Sequence, residues 1–145
     1  MINYNIHSIH PDATIREAST TMCNLNIGAL IVGSAEHPLG IFTERDILKK
    51  VAGVGLSIDT TLVKDVMTKE LITIKEEFDP IEALKIIEDK AIRHLPVVNE
   101  NSEIVGILSF RNLLSYIISE LEQENEQLGK FLIEEISHDI EDIES

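Results

Sequence analysis

Two stretches of the sequence repeat each other: Gly40-Ile-Phe-Thr-Glu-Arg-Asp-Ile-Leu48 and Gly106-Ile-Leu-Ser-Phe-Arg-Asn-Leu-Leu114. They lie 66 residues apart, and at the same offset the apolar segment 29–32 matches the apolar segment 95–98. A chain that contains one unit twice is expected to fold as two copies of one small structure that share a core. The duplication therefore decides the fold.

Further upstream the match continues with a slip of one residue. Residues 14–18 match residues 79–83 at an offset of 65. We interpret the slip as a first helix that is one residue shorter in the first half than in the second.

The sequence pattern of each half predicts the order strand, helix, strand, strand, helix. Asp79 is a suitable N-cap, and Pro80 suits the first helical position, where its missing N–H costs nothing. The apolar face of this helix is predicted to hold Ile81, Leu84, Ile87 and Ala91. The first half predicts helices over residues 15–25 and from Glu44. The predicted strands are residues 6–9, 29–32 and 39–42, then 71–74, 95–98 and 104–108.

Three motifs carry a resemblance to a known family. The stretches Gly40-Ile-Phe-Thr-Glu-Arg-Asp46, Asp65-Val-Met-Thr-Lys69 and Ile92-Arg-His-Leu-Pro-Val-Val98 resemble hallmarks of the cystathionine-β-synthase (CBS) domain. The resemblance covers residues 2 to about 119 and rests on order, duplication and spacing together.

The resemblance implies an α+β fold in which two β-α-β-β-α repeats pack sheet to sheet about a pseudo-twofold axis and leave two clefts. It divides the chain into a first repeat at 1–60, a second repeat at 61–119 and an acidic helical tail at 120–145. It also implies a non-catalytic regulatory module that needs no cofactor and binds AMP, ADP, ATP or S-adenosylmethionine. The alternative is a docking or dimerisation scaffold of the same fold that binds no nucleotide.

Thr43 and Asp46 follow a predicted strand and open a predicted helix. Taken alone, a threonine followed three residues later by an acid is typical of a helix capping box. The functional interpretation adds an exposed carboxylate at the mouth of a cleft, because its two oxygens accept from the vicinal hydroxyls of a ribose. The two interpretations are compatible, since one oxygen can cap while the other faces a ligand.

The resemblance implies further residues for each cleft. The cleft of Thr43 and Asp46 is expected to be completed by Ile27, Gly28, Thr68 and Thr73. The second cleft is expected to use Ser8, Arg93, His94, Ser109 and Asn112. Because Asn112 replaces the expected aspartate, it offers one acceptor oxygen and no charge. Hydrogen bonds to charged groups contribute about 1.5–3 kcal/mol against about 1 kcal/mol for neutral pairs, so the second site is predicted to bind about tenfold more weakly.

Three basic side chains leave two interpretations open. Arg45 and Arg111 occupy matching places, where each either reaches a phosphate or pairs with nearby acids on an exposed helix. His94 either contacts the ligand or is a turn residue with a satisfied side chain.

Charge and composition exclude several classes of partner. The net charge is −14, and residues 120–145 hold ten acids and one lysine, a net −9. An acidic chain without a basic patch repels nucleic acid and anionic lipid, so we expect neither nucleic acid nor membrane as partner. No signal peptide and no apolar run of membrane length are visible, so a cytoplasmic location is expected.

No constellation for catalysis or metal binding is visible. Cys23, the single cysteine, is predicted to be a buried and inert thiol on the first helix. His7 and His10 would point to opposite faces of an extended segment, and no Walker-type phosphate loop is present. We therefore expect no catalytic residue and no metal site.

The tail predicts an amphipathic helix that continues past Leu121. Its apolar stripe comprises Leu121, Leu128, Leu132, Ile136, Ile140 and Ile143. Gly129 lowers helix stability by about 1 kcal/mol relative to alanine, which makes a break there possible. The stripe either packs on its own repeats or pairs with another chain, and we expect a homodimer that acts on a regulated protein still to be identified.

Overall fold

The computed structural model describes residues 1–144, apart from the side chains of residues 127–129 and 144. Each repeat forms one three-stranded sheet, whose first strand pair is parallel and whose second is antiparallel. The first sheet contains β1 (Ser8–Ile9), β2 (Ala29–Gly33) and β3 (Pro38–Thr43), and the second contains β4 (Ile74–Lys75), β5 (His94–Val98) and β6 (Ile104–Ser109). The predicted α+β architecture of two like repeats is confirmed.

The helices begin where their capping residues predict. Thr14 accepts a hydrogen bond from the Glu17 amide, and Asp79 accepts one from the Ile81 amide at 3.0 Å. After the short helix α2, the chain continues as a π-helical turn, Ile47–Val51, and a 3-10 turn, Ala52–Val54. The α-helices of the described residues are α1 (Ile15–Leu25), α2 (Glu44–Asp46), α3 (Val63–Val66), α4 (Pro80–Lys90), α5 (Phe110–Glu124) and α6 (Glu126–Glu144).

The two sheets face each other across a shared apolar layer. Ala29, Ile31 and Ile41 of the first sheet pack there against Val98 and Ile104 of the second. The opposite face of the first sheet packs on α1 and α3, and that of the second sheet packs on α4 and α5. Side chains alternate between these two layers because successive residues of a strand point to opposite faces.

Each repeat also lends a segment to the other. Asn3 pairs with Ile107 of the second sheet, and Thr68 pairs with Ile41 of the first. The segment at Asn3 precedes β1, and the segment at Thr68 precedes β4. Along the chain, each segment therefore pairs with the sheet of the other repeat first and enters the sheet of its own repeat a few residues later. The strands predicted at residues 6–9 and 71–74 are therefore shorter and later than expected, with two residues each.

The one-residue slip between the repeats lies in a hairpin and not in a helix. Helices α1 and α4 both have 11 residues, so the predicted shorter first helix is wrong. Leu30 pairs with Phe42 and Leu95 with Leu108, which makes Leu30 and Leu95 equivalent at an offset of 65. Segment 29–32 thus matches 94–97, and the extra residue lies in the polar turn between β5 and β6, where an insertion disturbs little packing.

Two helix faces differ from their predictions. In α4 the buried residues are Ala83 and Ile87, while Ile81 is 48% exposed and Ala91 forms the left-handed C-cap with φ of 53°. Cys23 is exposed and not buried, because it lies next to the buried Met22 and about 100° around α1 from it.

The C-terminal helix bends back at Asn125. Helix α5 continues through Ser119 to Glu124, and Asn125 adopts an extended conformation before α6 begins. The break therefore falls at Asn125 and not at Gly129, whose backbone is helical. Of the predicted stripe, Leu121, Leu132, Ile136 and Ile140 are half-buried, Ile143 is 47% exposed, and the side chain of Leu128 lies outside the described residues.

The described helices include none with the length and apolarity that a bilayer-spanning segment needs.

Candidate functional site

A cavity of about 140 Å³, which we call the first cleft, opens between the repeats at the start of α2. The first repeat contributes Thr43, Arg45 and Asp46, and the segment after α3 contributes Thr68. The second repeat contributes residues 70–72 and 91–94 to the wall, which Ile41, Glu44 and Pro96 complete. The cleft thus brings together four of the residues predicted for this site.

Thr43 and Asp46 form the predicted capping box. The Thr43 amide donates to Asp46 Oδ2 at 3.0 Å, and the Asp46 amide donates to Thr43 Oγ1 at 3.3 Å. The Thr43 hydroxyl also donates to Asp46 Oδ2 at 3.3 Å. The box holds the Asp46 side chain in one orientation at the cleft wall.

Asp46 is buried, which differs from the exposed carboxylate that we expected. The residue is 5% exposed, and its second oxygen, Oδ1, accepts from Lys50 Nζ at 2.9 Å and from Thr68 Oγ1 at 3.2 Å. The carboxylate is thus bonded to the protein through both oxygens. Burial of a charge is tolerable here because the charge is paired and hydrogen-bonded.

Lys50 is a member of this site that the sequence reasoning missed. Its ammonium group also donates to Val66 O at 3.1 Å and to Thr68 Oγ1 at 3.3 Å. The signal was available, because Lys50 follows Asp46 by four residues, a spacing at which an acid and a base meet on a helical surface.

Arg45 spans the two repeats. Its guanidinium donates to Ala91 O, at the left-handed C-cap of α4. This bond uses one of the five N–H donors of the arginine, and the side chain lines the first cleft. Arg45 therefore joins the cap of α2 to the second repeat across the cleft.

A second cavity, of about 190 Å³, is the pseudo-symmetric counterpart of the first, and we call it the second cleft. Ile27, Gly28, His94, Ser109 and Asn112 line it. From the family resemblance we expected Ile27 and Gly28 in the first cleft, and the structure places them here. Each cleft takes the residues that precede a central strand from the opposite repeat, because the sheets face each other about a pseudo-twofold axis.

Arg93 and His94 are likewise redistributed. Both line the first cleft, although we expected them in the second, and His94 lines the second cleft as well. Thr73 and Ser8 occupy equivalent positions, one per repeat, and both are exposed. Neither Thr73 nor Ser8 is among the residues that line the two clefts.

His94 lies at the boundary between the clefts. A methyl group in place of the Gly28 hydrogen would approach His94 Nε2 to 3.1 Å and Glu44 Oε1 to 3.0 Å, so a larger residue fits here only if these side chains shift by a few tenths of an ångström. Burial, and then the positive charge of Arg93, lower the pKa of His94. The imidazole is therefore neutral near pH 7 and offers the clefts both a donor and an acceptor.

The tail covers a third cavity, of about 420 Å³, between the two clefts. Ile140 and Ile143 of α6 line it together with Arg93 and Arg111. The tail thus packs on its own repeats, which is one of the two arrangements that the sequence left open. No pattern in the sequence predicted where on the repeats it packs. Within the described residues no group of three histidine, cysteine, aspartate or glutamate side chains is arranged to hold a metal ion.

Comparisons with known proteins agree with this architecture. An uncharacterised protein of Methanopyrus kandleri is 35% identical over 118 residues, which are 79% of this chain and 60% of the relative. The chain spans between 60 and 65% of the length of the first curated relatives that it matches.

Solved structures share the fold. A CBS-domain protein of Agrobacterium tumefaciens is 33% identical with a TM-score of 0.72, over 78% of this chain and 90% of that protein. The CBS domain pair of protein MJ0100, solved with 5′-methylthioadenosine and S-adenosylmethionine, is 22% identical with a TM-score of 0.70, over 80% of this chain and 94% of that one.

The sequence model described as the CBS domain matches this chain twice, over residues 1–53 and 63–119. These matches coincide with the two repeats, each with its own sheet. The chain therefore belongs to the CBS-domain family and carries two copies of the domain.

Proposed function

We propose that this chain is a non-catalytic regulatory module that binds an adenosine-type ligand in the first cleft. The observation that carries the proposal is the Thr43–Asp46 capping box, which holds a carboxylate at the wall of a cavity built by both repeats. A carboxylate accepts from two vicinal hydroxyls at once, which suits the ribose of AMP, ADP, ATP or S-adenosylmethionine.

The remaining walls of the first cleft suit the other parts of such a ligand. Ile41, Leu71 and Ile92 provide apolar surface for a base. Arg45 and Arg93 provide guanidinium groups for a phosphate or a carboxylate. The CBS pair of MJ0100, which holds two adenosine compounds, supports the same ligand class.

The test is a calorimetric titration of the unchanged chain and of Asp46→Asn with AMP, ATP and S-adenosylmethionine. Asparagine keeps an oxygen for the cap but loses the charge and one acceptor, so we expect affinity to fall about tenfold or more. Asp79→Asn is the matched control, because it changes an N-cap aspartate of the second repeat outside the first cleft. Unchanged affinity in Asp46→Asn would remove Asp46 from the site.

A scaffold that binds no nucleotide is the second candidate. It is favoured by one observation, the bonding of both Asp46 oxygens within the protein. A thermal-shift panel separates the two candidates, because a ligand that binds only the folded chain raises the melting temperature. No response to any adenosine compound favours the scaffold.

The proposal includes a homodimer that contacts a regulated protein. With α6 folded back, Phe131 is still 58% exposed and Tyr116 38% exposed on the helical surface. Pairing would remove these apolar side chains from water. Light scattering on the full chain is expected to give twice the mass of one chain, and a monomer contradicts the dimer. The same measurement on a chain that ends at Asn125 asks whether α6 contributes.

A further inference from the structure

The carboxylate of Asp46 has no unused acceptor position. Oδ2 accepts from the amide and the hydroxyl of Thr43, at 3.0 and 3.3 Å. Oδ1 accepts from Lys50 Nζ at 2.9 Å and from Thr68 Oγ1 at 3.2 Å. An ionised carboxylate offers about four lone-pair sites. A ribose hydroxyl therefore reaches Asp46 only if one of these four donors leaves.

Lys50 is the donor that can leave most easily. The Thr43 donors belong to the cap, and Thr68 is held by its backbone pairing with Ile41, at 2.9 Å in both directions. The Lys50 side chain is 44% exposed and carries a flexible four-carbon stem. After leaving Asp46, its ammonium group still has the carbonyl of Val66, at 3.1 Å, as an acceptor. Water solvates the exposed part of the group.

The local backbone around Lys50 is distinctive. Lys50 lies in the π-helical turn Ile47–Val51, and such turns are rare and occur frequently at functional sites. In the second repeat the matching segment is a continuous α-helix, α5, and the position 66 residues later is Tyr116. The second cleft thus has neither the turn nor the lysine.

We propose that Lys50 is an internal competitor of the ligand for Asp46 and thereby sets the affinity of the first cleft. This inference rests on the proposed function. In the unliganded chain Lys50 holds Oδ1 of Asp46. One of the vicinal hydroxyls of the ligand then takes the place of the ammonium group, which keeps its bond to Val66 O. Each binding event therefore costs one charge-assisted hydrogen bond, and affinity rises when that bond is absent.

The test is a calorimetric titration with adenosine, which carries the ribose hydroxyls but no phosphate that could attract Lys50. Lys50→Met removes the competitor and is expected to bind adenosine about tenfold more tightly than the unchanged chain does. Lys49→Met, an exposed neighbour in the same turn, is expected to leave the affinity unchanged. Lys50→Gln, which keeps a weaker neutral donor, is expected to lie between.

A double-mutant cycle separates competition from a structural role. In the Asp46→Asn background, Lys50→Met is expected to change the affinity for adenosine by less than about twofold, because the contested carboxylate is absent. If Lys50→Met binds adenosine no more tightly than the unchanged chain does, the proposed role of Lys50 is wrong. In that case, binding of AMP to the unchanged chain still supports the proposed function. Absence of binding of both adenosine and AMP to both chains overturns the two proposals together.

Discussion

The two clefts of this molecule share a backbone arrangement and differ in the side chains that face the cavity. In both, a hydroxyl at the N-cap accepts from the amide three residues later, Thr43 from Asp46 at 3.3 Å and Ser109 from Asn112 at 3.1 Å. Only Asp46 returns the bond to its cap, at 3.0 Å, and among the described residues Asn112 makes no such bond and is exposed.

From this difference we infer that different residues specify the fold and the site. A single hydroxyl is sufficient to start the helix, so either pair of residues produces the same local structure. The carboxylate adds the charge and the second acceptor oxygen. A ligand can bond to these, whereas the fold does not require them. The predictions that follow change either what the repeats share or what distinguishes them.

The largest expected effect concerns what the repeats share. Leu30 and Leu95 are equivalent, fully buried and far enough from the clefts not to line them. Each substitution, Leu30→Ala and Leu95→Ala, is expected to lower the free energy of unfolding by about 2–5 kcal/mol, through lost transfer energy and the remaining cavity. Urea denaturation measures both. A loss below about 1 kcal/mol in one repeat alone would contradict equivalent cores.

The next effect concerns the substitution that distinguishes the clefts. Asn112→Asp supplies the missing charge and acceptor, and we expect it to strengthen binding of AMP at the second cleft about tenfold. The measurement is best made with Asp46→Asn also present, because the first cleft then contributes little heat. Two sites of equal affinity in the unchanged chain would contradict the weaker binding that we expect at the second cleft because of Asn112.

The smallest effect is a pH dependence that arises from His94, which both clefts share. Because burial lowers the pKa of His94 in the folded chain, the unfolded chain binds more protons between that lowered value and about 6.5. Stability therefore falls as the pH decreases through this window. His94→Gln is expected to show a smaller fall in the urea midpoint between pH 7.5 and 5.5.

The matched control for this measurement is His37→Gln, at an exposed position. A fall in His94→Gln as large as that of the unchanged chain would exclude His94 as the source.

The sequence predicted those features that depend on neighbouring residues. The helix starts at Ile15 and Glu44, the cap at Asp79 and the antiparallel strand pairs all follow from residue type and spacing over a few positions. The capping box of Thr43 and Asp46 was also predictable, because its pattern lies within four residues.

The partition of the site between the repeats was not predictable in the same way. Ile27 and Gly28 lie near Thr43 in the sequence, yet they line the opposite cleft. The reason is that the way in which the two sheets pack against each other decides which segments meet. The burial of Asp46 was also missed, since it results from Thr68, which arrives from a segment that crosses between repeats. Both features are tertiary, and no local pattern encodes them.

The most direct test of the account is a crystal structure of the full chain with AMP. The account predicts AMP in the first cleft, with a ribose hydroxyl bonded to Asp46, Lys50 displaced from that carboxylate, and the second cleft less occupied. AMP in the second cleft alone, or ribose hydroxyls that make no contact with Asp46, would contradict it.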